Sequence, residues 1–193
     1  MAAPTLRERK RERTREAIET AAFRLFAEHG YDGVTVAQIA AAADVAPRTY
    51  FRYFATKEDV LFGRDAEVLE AVASIIDDRP RDEDPVATAR SCALAMGAWA
   101  EAHRRLLADR AAVIEATPSL AGRERAKLGA IENLAAARLA RRMRARAGDP
   151  LPLLLAKLAT ACFEVGVQSG LRRRTPFEPA IGAAWDALPL ATA

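Results

Sequence analysis

The chain is poor in the residues that carry most catalytic and metal chemistry. It has 193 residues but only two cysteines, Cys92 and Cys162, and two histidines, His29 and His103. Two isolated cysteines form neither a disulfide scaffold nor a zinc site, and they favour a reducing compartment. Neither a glycine-rich phosphate loop nor a Gly-x-Ser-x-Gly elbow is present. The sequence therefore predicts a protein that is not an enzyme and needs no metal or cofactor.

Long apolar runs and helix-breaking residues are also scarce. Glycine and proline number ten each, whereas alanine, the strongest helix former, occurs 45 times. The most apolar stretch, 151–171, contains Pro152, Lys157, Glu164 and Gln168, which predicts a buried helix instead of a membrane span. The first ten residues hold a charged stretch where a signal peptide has an apolar one. We expect an all-α protein located in the cytoplasm.

The excess positive charge is confined to one end of the chain. Lys and Arg number 29 against 26 Asp and Glu, a formal net charge of +3. Residues 1–57 contain ten basic and seven acidic side chains, so residues 58–193 carry 19 of each sign. A basic segment on a neutral body predicts an anionic partner for that segment.

Apolar residues recur at spacings of three and four along the chain, which predicts helices throughout and no strand. Capping residues and prolines mark the helix starts, and Gly30 suits a left-handed helix end. The predicted helices cover about 7–29, 36–43, 47–54, 56–79, one helix or a pair over 85–116, 118–147, 150–171 and 176–189.

Two short helices joined by a tight turn lie within the basic end. Thr35-Val-Ala-Gln38 predicts a capping box at the start of the first, and Pro47 suits the first position of the second. The second helix, Pro47-Arg-Thr-Tyr-Phe-Arg-Tyr-Phe54, combines two arginines and a hydroxyl with four aromatic rings. This mixture suits a helix with Tyr50 and Phe54 on a core and its other face against DNA, which predicts a helix-turn-helix.

Residues 35–61 resemble the helix-turn-helix of the tetracycline-repressor (TetR) family of bacterial transcription regulators. The shared pattern includes Thr-Val, Ile-Ala, a turn ending in Val, the aromatic run of the second helix, and Thr-Lys. The upstream stretch from Ala21 to Tyr31 is similar to the first helix of the family, and the resemblance extends over about residues 11–71. Asp44 replaces the usual turn glycine and Ala46 the usual N-cap serine. Because aspartate tolerates a left-handed backbone better than most residues, we expect the turn to keep that conformation at Asp44.

The resemblance implies a three-helix DNA-binding domain over 1–55, a connecting helix over 56–79, and a helical effector-binding and dimerisation domain over 80–193. It implies phosphate contacts by Thr35, Tyr53 and Lys57 and base-edge contacts by Arg48 and Arg52. Thr49 would touch a thymine methyl group or a phosphate, Pro47 the groove wall, and Phe51 would make apolar contact only. The full set of implied DNA contacts is Thr35, Pro47, Arg48, Thr49, Phe51, Arg52, Tyr53 and Lys57. The basic arm 7–15 is a further candidate for contact with phosphates or the minor groove. The alternative is that the arm is a solvated helix face with intrahelical Arg–Glu pairs.

In this family the C-terminal domain binds a small molecule and forms the dimer. Residue type alone suggests an apolar or aromatic effector held by Met96, Trp99, His103, Val113, Leu134 and Phe163. The dimer interface expected from the resemblance comprises Leu151, Leu154, Leu155, Leu158, Cys162, Ile181, Trp185 and Leu188, although these stripes would equally fill the core of one protomer.

The resulting hypothesis is a ligand-responsive repressor that binds a palindromic operator in double-stranded DNA as a homodimer and is released by a small apolar effector. The alternative is a helical interaction or adaptor protein that does not bind DNA. The first hypothesis involves no membrane, whereas in the alternative the basic start of the chain would contact a protein or a membrane.

Overall fold

The computed structural model describes residues 5–188, and this range consists of helices and connections without a strand. The predicted all-α fold is confirmed. The helices are α1 Leu6–His29, α2 Val36–Ala42, α3 Pro47–Tyr53, α4 Asp59–Phe62, α5 Asp65–Asp77, α6 Pro85–Ala102, α7 Arg104–Ala116, α8 Ala121–Met143, α9 Leu151–Arg173 and α10 Phe177–Asp186, with a 3-10 turn at Pro118–Leu120.

The chain forms two compact units. The first comprises Met1–Arg64 and Asp109–Ala121, and the second Asp65–Ala108 and Gly122–Ala193. The division differs from the boundaries expected from the sequence, which ended the first domain at residue 55 and began the second at 80.

Contacts within the first unit explain its composition. Val60, Leu61 and Phe62 of α4 are buried in it. Arg110 on α7 donates from Nε to the Leu61 carbonyl at 2.9 Å, and its guanidinium lies 5.0 Å from the centroid of the Phe62 ring. These contacts place the second half of α7 in the first unit.

The single helix predicted over 56–79 is interrupted at Gly63–Arg64, where α4 ends and α5 follows. The Gly63 carbonyl accepts a hydrogen bond from the Arg15 guanidinium. A side chain at Gly63 would place Cβ 2.6 Å from the Asp59 carbonyl oxygen and 3.1 Å from the Phe54 ring. Glycine therefore permits a close approach that a larger residue would prevent.

The core of the first unit joins α1, α2 and α3. The buried side chains include Ile18, Phe26, Ile39, Tyr50 and Phe54. Tyr50 and Phe54 were expected to be core residues and are buried. Burial of each large side chain contributes about 1.5–3 kcal/mol, so this small core positions the two short helices that follow α1.

In the second unit α9 and α10 pack closely against each other and against α6. A Cβ on Gly166 of α9 would lie 2.6 Å from the Ile181 backbone nitrogen on α10. A Cβ on Gly170 would lie 3.0 Å from a ring carbon of Phe177. Only glycine at these two positions permits this approach of α10. The turn between the helices is held by Arg104, which donates to the Thr175 carbonyl at 2.7 Å and lies 3.8 Å from the Phe177 ring centroid.

Four residues of the expected dimer interface lie in the core of the second unit instead. Leu155, Cys162, Ile181 and Trp185 are at most 5% exposed. They lie on the sides of α9 and α10 that face each other and α6. The close approach of Gly166 on α9 to Ile181 on α10 determines which side of each helix points inward. For these four residues the alternative, that the stripes fill the core of one protomer, is correct.

Helix α9 also carries exposed apolar side chains outside its core-facing side. Leu151, Leu154 and Val165 share one side of the helix by their spacing and Leu153 lies on another, and these four residues are 39–54% exposed. The helix is long and apolar enough to span a membrane by length and composition, and one third of its most apolar window is buried in the protein. The sequence predicted a buried helix here, but α9 has one core face and one exposed apolar face.

Candidate nucleic-acid interface

The start of α2 has the predicted capping box. The Thr35 hydroxyl oxygen accepts a hydrogen bond from the Gln38 backbone N–H at 3.3 Å, and the Gln38 side-chain oxygen accepts one from the Thr35 N–H at 2.8 Å. Thr35 is exposed. A capped and exposed helix start offers backbone N–H groups with no intrahelical partner, and such groups suit an anionic oxygen.

The turn after α2 has the left-handed backbone that its sequence predicted. Asp44 has φ 54°, where the family has glycine. The turn is closed by hydrogen bonds from the Asp44 N–H to the Ala41 carbonyl at 3.1 Å and from the Val45 N–H to the Ala40 carbonyl at 3.0 Å. Aspartate tolerates this conformation better than most residues, so the turn survives without glycine.

Helix α3 has two chemically different faces. Tyr50 is fully buried, and its hydroxyl donates to the Thr56 carbonyl at 3.0 Å. Pro47, Arg48, Phe51 and Arg52 are exposed. The sequence spacing of these four exposed residues places them on one side of the helix. As predicted, Ala46 forms no side-chain cap and Pro47 takes the first helical position.

The exposed face of α3 combines positive charge with an apolar ring. Phe51 is 55% exposed, and Thr49 and Tyr53 are half-buried beside it. The Arg52 guanidinium lies 5.3 Å from the Tyr53 ring centroid. Exposed arginines beside aromatic and hydroxyl groups can reach both base edges and phosphates in a DNA groove.

Lys57 was predicted to contact a phosphate, and the structure places its ammonium against the protein itself. Nζ donates to the Tyr31 carbonyl at 2.7 Å and to the Val34 carbonyl at 2.9 Å, and it lies 4.2 Å from the Tyr31 ring centroid. The side chain is half-buried. Its contact with DNA remains a prediction.

A buried ion cluster, which was not expected from the sequence, braces α1. Glu19 is 5% exposed and accepts hydrogen bonds from Arg15 at 3.2 Å and from Arg64 at 2.9 and 3.2 Å. Arg64 also donates to Glu12 at 2.7 Å. Burial opposes the charge of Arg64, but the hydrogen bonds that its guanidinium donates to Glu19 and Glu12 outweigh this effect and raise the pKa of Arg64. The available signal was an acidic residue next to Ile18 on the apolar side of α1.

The basic arm forms the first turns of α1, and its acidic residues are committed elsewhere. Glu8 accepts from the Thr5 backbone and hydroxyl in a capping box, and Glu12 accepts from Arg64. Of the arginines in the arm, Arg15 forms an intrahelical pair, with Glu19. Within residues 5–188, five exposed cations of the arm therefore have no acidic partner: Arg7, Arg9, Lys10, Arg11 and Arg13.

Most of the expected effector-binding residues lie together in the second unit. Met96 belongs to its main buried cluster, and Trp99, Leu134 and Phe163 pack against that cluster. His103 stacks on Trp99 with ring centroids 4.3 Å apart, and its Nδ1 lies 2.8 Å from the Trp99 carbonyl oxygen. A carbonyl only accepts, so this contact assigns the proton to Nδ1.

Val113 does not join this group. It is buried on the second half of α7, which belongs to the first unit. The expected set of six residues therefore divides between the units, because the contact of Arg110 with Leu61 holds this half of α7 in the first.

One carboxylate near the apolar cluster was not singled out from the sequence. Glu164 follows Phe163 on α9 and is half-buried. Burial raises the pKa of its carboxyl, the carboxylates of Glu124 and Glu132 raise it further, and Lys127 opposes them. Across residues 5–188 no group of three or more His, Cys, Asp or Glu side chains is placed to hold a metal ion.

Similarity to known proteins agrees with this geometry. Residues 18–62, which include α2 and α3, match the family described as "Bacterial regulatory proteins, tetR family". MftR of Mycobacterium tuberculosis, named as a mycofactocin biosynthesis transcriptional regulator, is 30% identical over 182 residues that cover 92% of this chain and 90% of MftR. The chain belongs to the TetR family. It is therefore a helix-turn-helix DNA-binding regulator of transcription and not an enzyme.

Two further comparisons differ in extent. The HTH-type transcriptional regulator TcmR of Streptomyces glaucescens is 43% identical over 83 residues, which cover 43% of this chain and only 37% of TcmR. The structure of SmeT in complex with triclosan superposes with a TM-score of 0.63 and 19% identity over 90% of this chain and 88% of SmeT. At this identity the second comparison establishes the shared fold alone.

Proposed function

We propose that this TetR-family regulator represses transcription by binding a palindromic operator as a homodimer, and that a small apolar effector releases it. The observation that carries the proposal is the division of α3 into a buried side, with Tyr50, and an exposed side, with Arg48 and Arg52. Because its target is DNA, we also infer a location in the cytoplasm.

The exposed groups of the motif suggest distinct roles at DNA. Arg48 and Arg52 carry fork-shaped guanidinium groups that pair bidentately with guanine in the major groove. Phe51 and Pro47 offer apolar contact to a thymine methyl group or the groove wall. Phosphate contacts fall to Thr35 at the start of α2 and to the hydroxyl groups of Thr49 and Tyr53.

We assign the dimer interface to the exposed side of α9. Leu154 is 53% exposed and Val165 is 54% exposed, and Leu151 lies on the same helix face by its spacing. An exposed apolar surface of this kind marks an interaction site in a soluble protein. One recognition helix reads only a few base pairs, so pairing two of them at about one helical turn, ~34 Å, supplies useful affinity.

The effector site we propose is the apolar cluster of Met96, Trp99, Leu134 and Phe163, with His103 at Trp99. Support comes from the residue types and from their proximity in the second unit. SmeT, which shares the fold, has been solved in complex with triclosan. Effector binding would favour a state of the dimer whose recognition helices no longer match two half-sites.

A salt titration of duplex binding tests the proposal against the adaptor alternative. Fluorescence anisotropy with duplexes from the regions flanking the gene is expected to find one palindromic duplex bound far more tightly than its scrambled control. Its affinity should fall steeply with salt, because phosphate contacts release counterions. Equal and weak binding of both duplexes would support the adaptor.

Oligomeric state is tested separately by light scattering. The wild-type chain is expected to be a dimer at micromolar concentration, and Leu154→Lys or Val165→Lys a monomer. The matched control Arg125→Met replaces an exposed residue on α8 and should remain dimeric. A monomeric wild-type chain would contradict the proposed interface.

A further inference from the structure

Lys57 is held by three groups within the first unit. Its ammonium donates to the carbonyls of Tyr31 at 2.7 Å and Val34 at 2.9 Å, and it lies 4.2 Å from the centroid of the Tyr31 ring. Both carbonyls belong to the connection between α1 and α2. One side chain therefore clamps the two ends of the segment from Tyr31 to Val34.

The clamped segment determines where α2 begins. Val34 is 2% exposed and directly precedes Thr35, whose capping box with Gln38 opens the helix. Lys57 in turn directly precedes Glu58, the N-cap residue of α4. The ammonium therefore ties the start of α2 to the start of α4, and α2 carries the turn into α3.

The existing contacts use most of the binding capacity of the ammonium. It has three N–H donors, of which two are engaged by carbonyls, and the Tyr31 ring occupies another direction. Hydrogen bonds from a charged donor are stronger than neutral ones. Moving the ammonium onto a phosphate would give up these contacts and release the segment before Thr35.

We propose that Lys57 is a positioning residue for DNA binding, which acts through the Tyr31–Val34 segment on the start of α2. This inference rests on DNA binding by the helix-turn-helix and departs from the phosphate contact that the family resemblance implies. A substitution that keeps the positive charge but changes the shape of the group distinguishes the two roles. It should weaken operator binding if Lys57 is a positioning residue and leave the affinity unchanged if Lys57 binds a phosphate.

Two substitutions, Lys57→Arg and Lys57→Met, provide that test. Arginine keeps the charge, but its planar fork does not replace a compact ammonium between two carbonyls and a ring. We expect both variants to bind the operator about tenfold more weakly. This is the loss that results when about a tenth of the protein keeps the conformation of the α2 start that binds DNA. The slope of log K against log salt concentration should stay at the wild-type value for both.

The opposite pattern would overturn the proposal. If Lys57 neutralises a phosphate, Lys57→Arg should keep the wild-type affinity, and Lys57→Met should reduce the salt slope by about 0.9. Arg125→Met is the matched control, because it removes one exposed cation from α8. It should leave both the affinity and the slope unchanged.

Hydrogen exchange tests the positioning role without DNA. In both variants the backbone amides of residues 34–38 should exchange about tenfold faster or more, since local opening there becomes easier, whereas amides of α6 should be unaffected. Unchanged exchange at 34–38 would overturn the proposal. If Lys57→Met does not fold, Lys57→Arg alone carries both measurements. A wild-type chain that binds no duplex would refute the proposed function, while the exchange result would still decide the role of Lys57.

Discussion

Removing the charge of the buried Glu19 carboxylate should be one of the most destabilising single substitutions in the first unit. Glu19 is 5% exposed and accepts hydrogen bonds from Arg15 and from two nitrogens of Arg64. Glu19→Gln keeps the size and one acceptor oxygen but removes the negative charge. Both arginines are then left beside a neutral group in a largely buried site.

The expected cost follows from what remains after the substitution. Removing one partner of a buried ion pair costs about 3–5 kcal/mol when the other charge is left uncompensated. Arg64 still has Glu12, and Arg15 still donates to the Gly63 carbonyl. We therefore expect a loss at the lower end, about 3 kcal/mol of unfolding free energy.

Urea denaturation followed by circular dichroism at neutral pH and fixed protein concentration measures this loss. The matched control is Glu16→Gln, an exposed position on the same helix, which should change the free energy of unfolding by less than about 0.5 kcal/mol. A Glu19→Gln variant as stable as this control would refute the view that the ion cluster braces α1.

Three further predictions concern other parts of the protein. Gly166→Ala should lower the melting temperature because its Cβ would lie 2.6 Å from the Ile181 backbone, whereas Gly129→Ala, with no atom within 4 Å of its Cβ, should raise it through helix propensity; equal shifts would contradict the packing of α9 on α10. The hydrogen bond from Arg79 lowers the pKa of Glu83 to about 2 from its ordinary 4.5, so the ionised carboxylate stabilises the fold above pH 4.5 and this stabilisation is lost as the pH falls toward 2. The free energy of unfolding, measured against pH, should therefore differ in slope between the wild type and Glu83→Gln in that range, and identical curves would show that Glu83 does not contribute. Burial raises the pKa of the Cys92 thiol to about 11, so iodoacetamide at pH 8 should leave it unmodified in the native protein, and rapid labelling would show that the site is open.

Local signals in the sequence predicted the DNA-binding motif closely. The capping box at Thr35, the left-handed turn at Asp44 and the proline start at Pro47 each depend on a few neighbouring residues. Because these signals are local, they do not depend on the tertiary contacts of the rest of the chain. The buried positions of Tyr50 and Phe54 followed from the same short-range spacing.

Features that depend on distant contacts were not predicted. At the Gly63 interruption the carbonyl accepts a hydrogen bond from Arg15, 48 positions earlier, and the place of Val113 depends on the contact of Arg110 with Leu61. Apolar stripes on α9 and α10 did not reveal which stripe faces inward. The contact of Gly166 with Ile181 decides that question, and it exists only after the two helices pack.

The central claim is that the exposed face of α3 reads base pairs, and Arg48 tests it most directly. The measurement is the affinity of the wild type and Arg48→Ala for the operator and for operators with each base pair substituted in turn. Substituting one or two of the base pairs in each half-site should cost the wild type about 1–3 kcal/mol of binding free energy. Arg48→Ala should bind the original and the substituted operators equally at those same positions. If Arg48→Ala instead weakened binding equally for every duplex, Arg48 would not read bases and the claim for this residue would be contradicted.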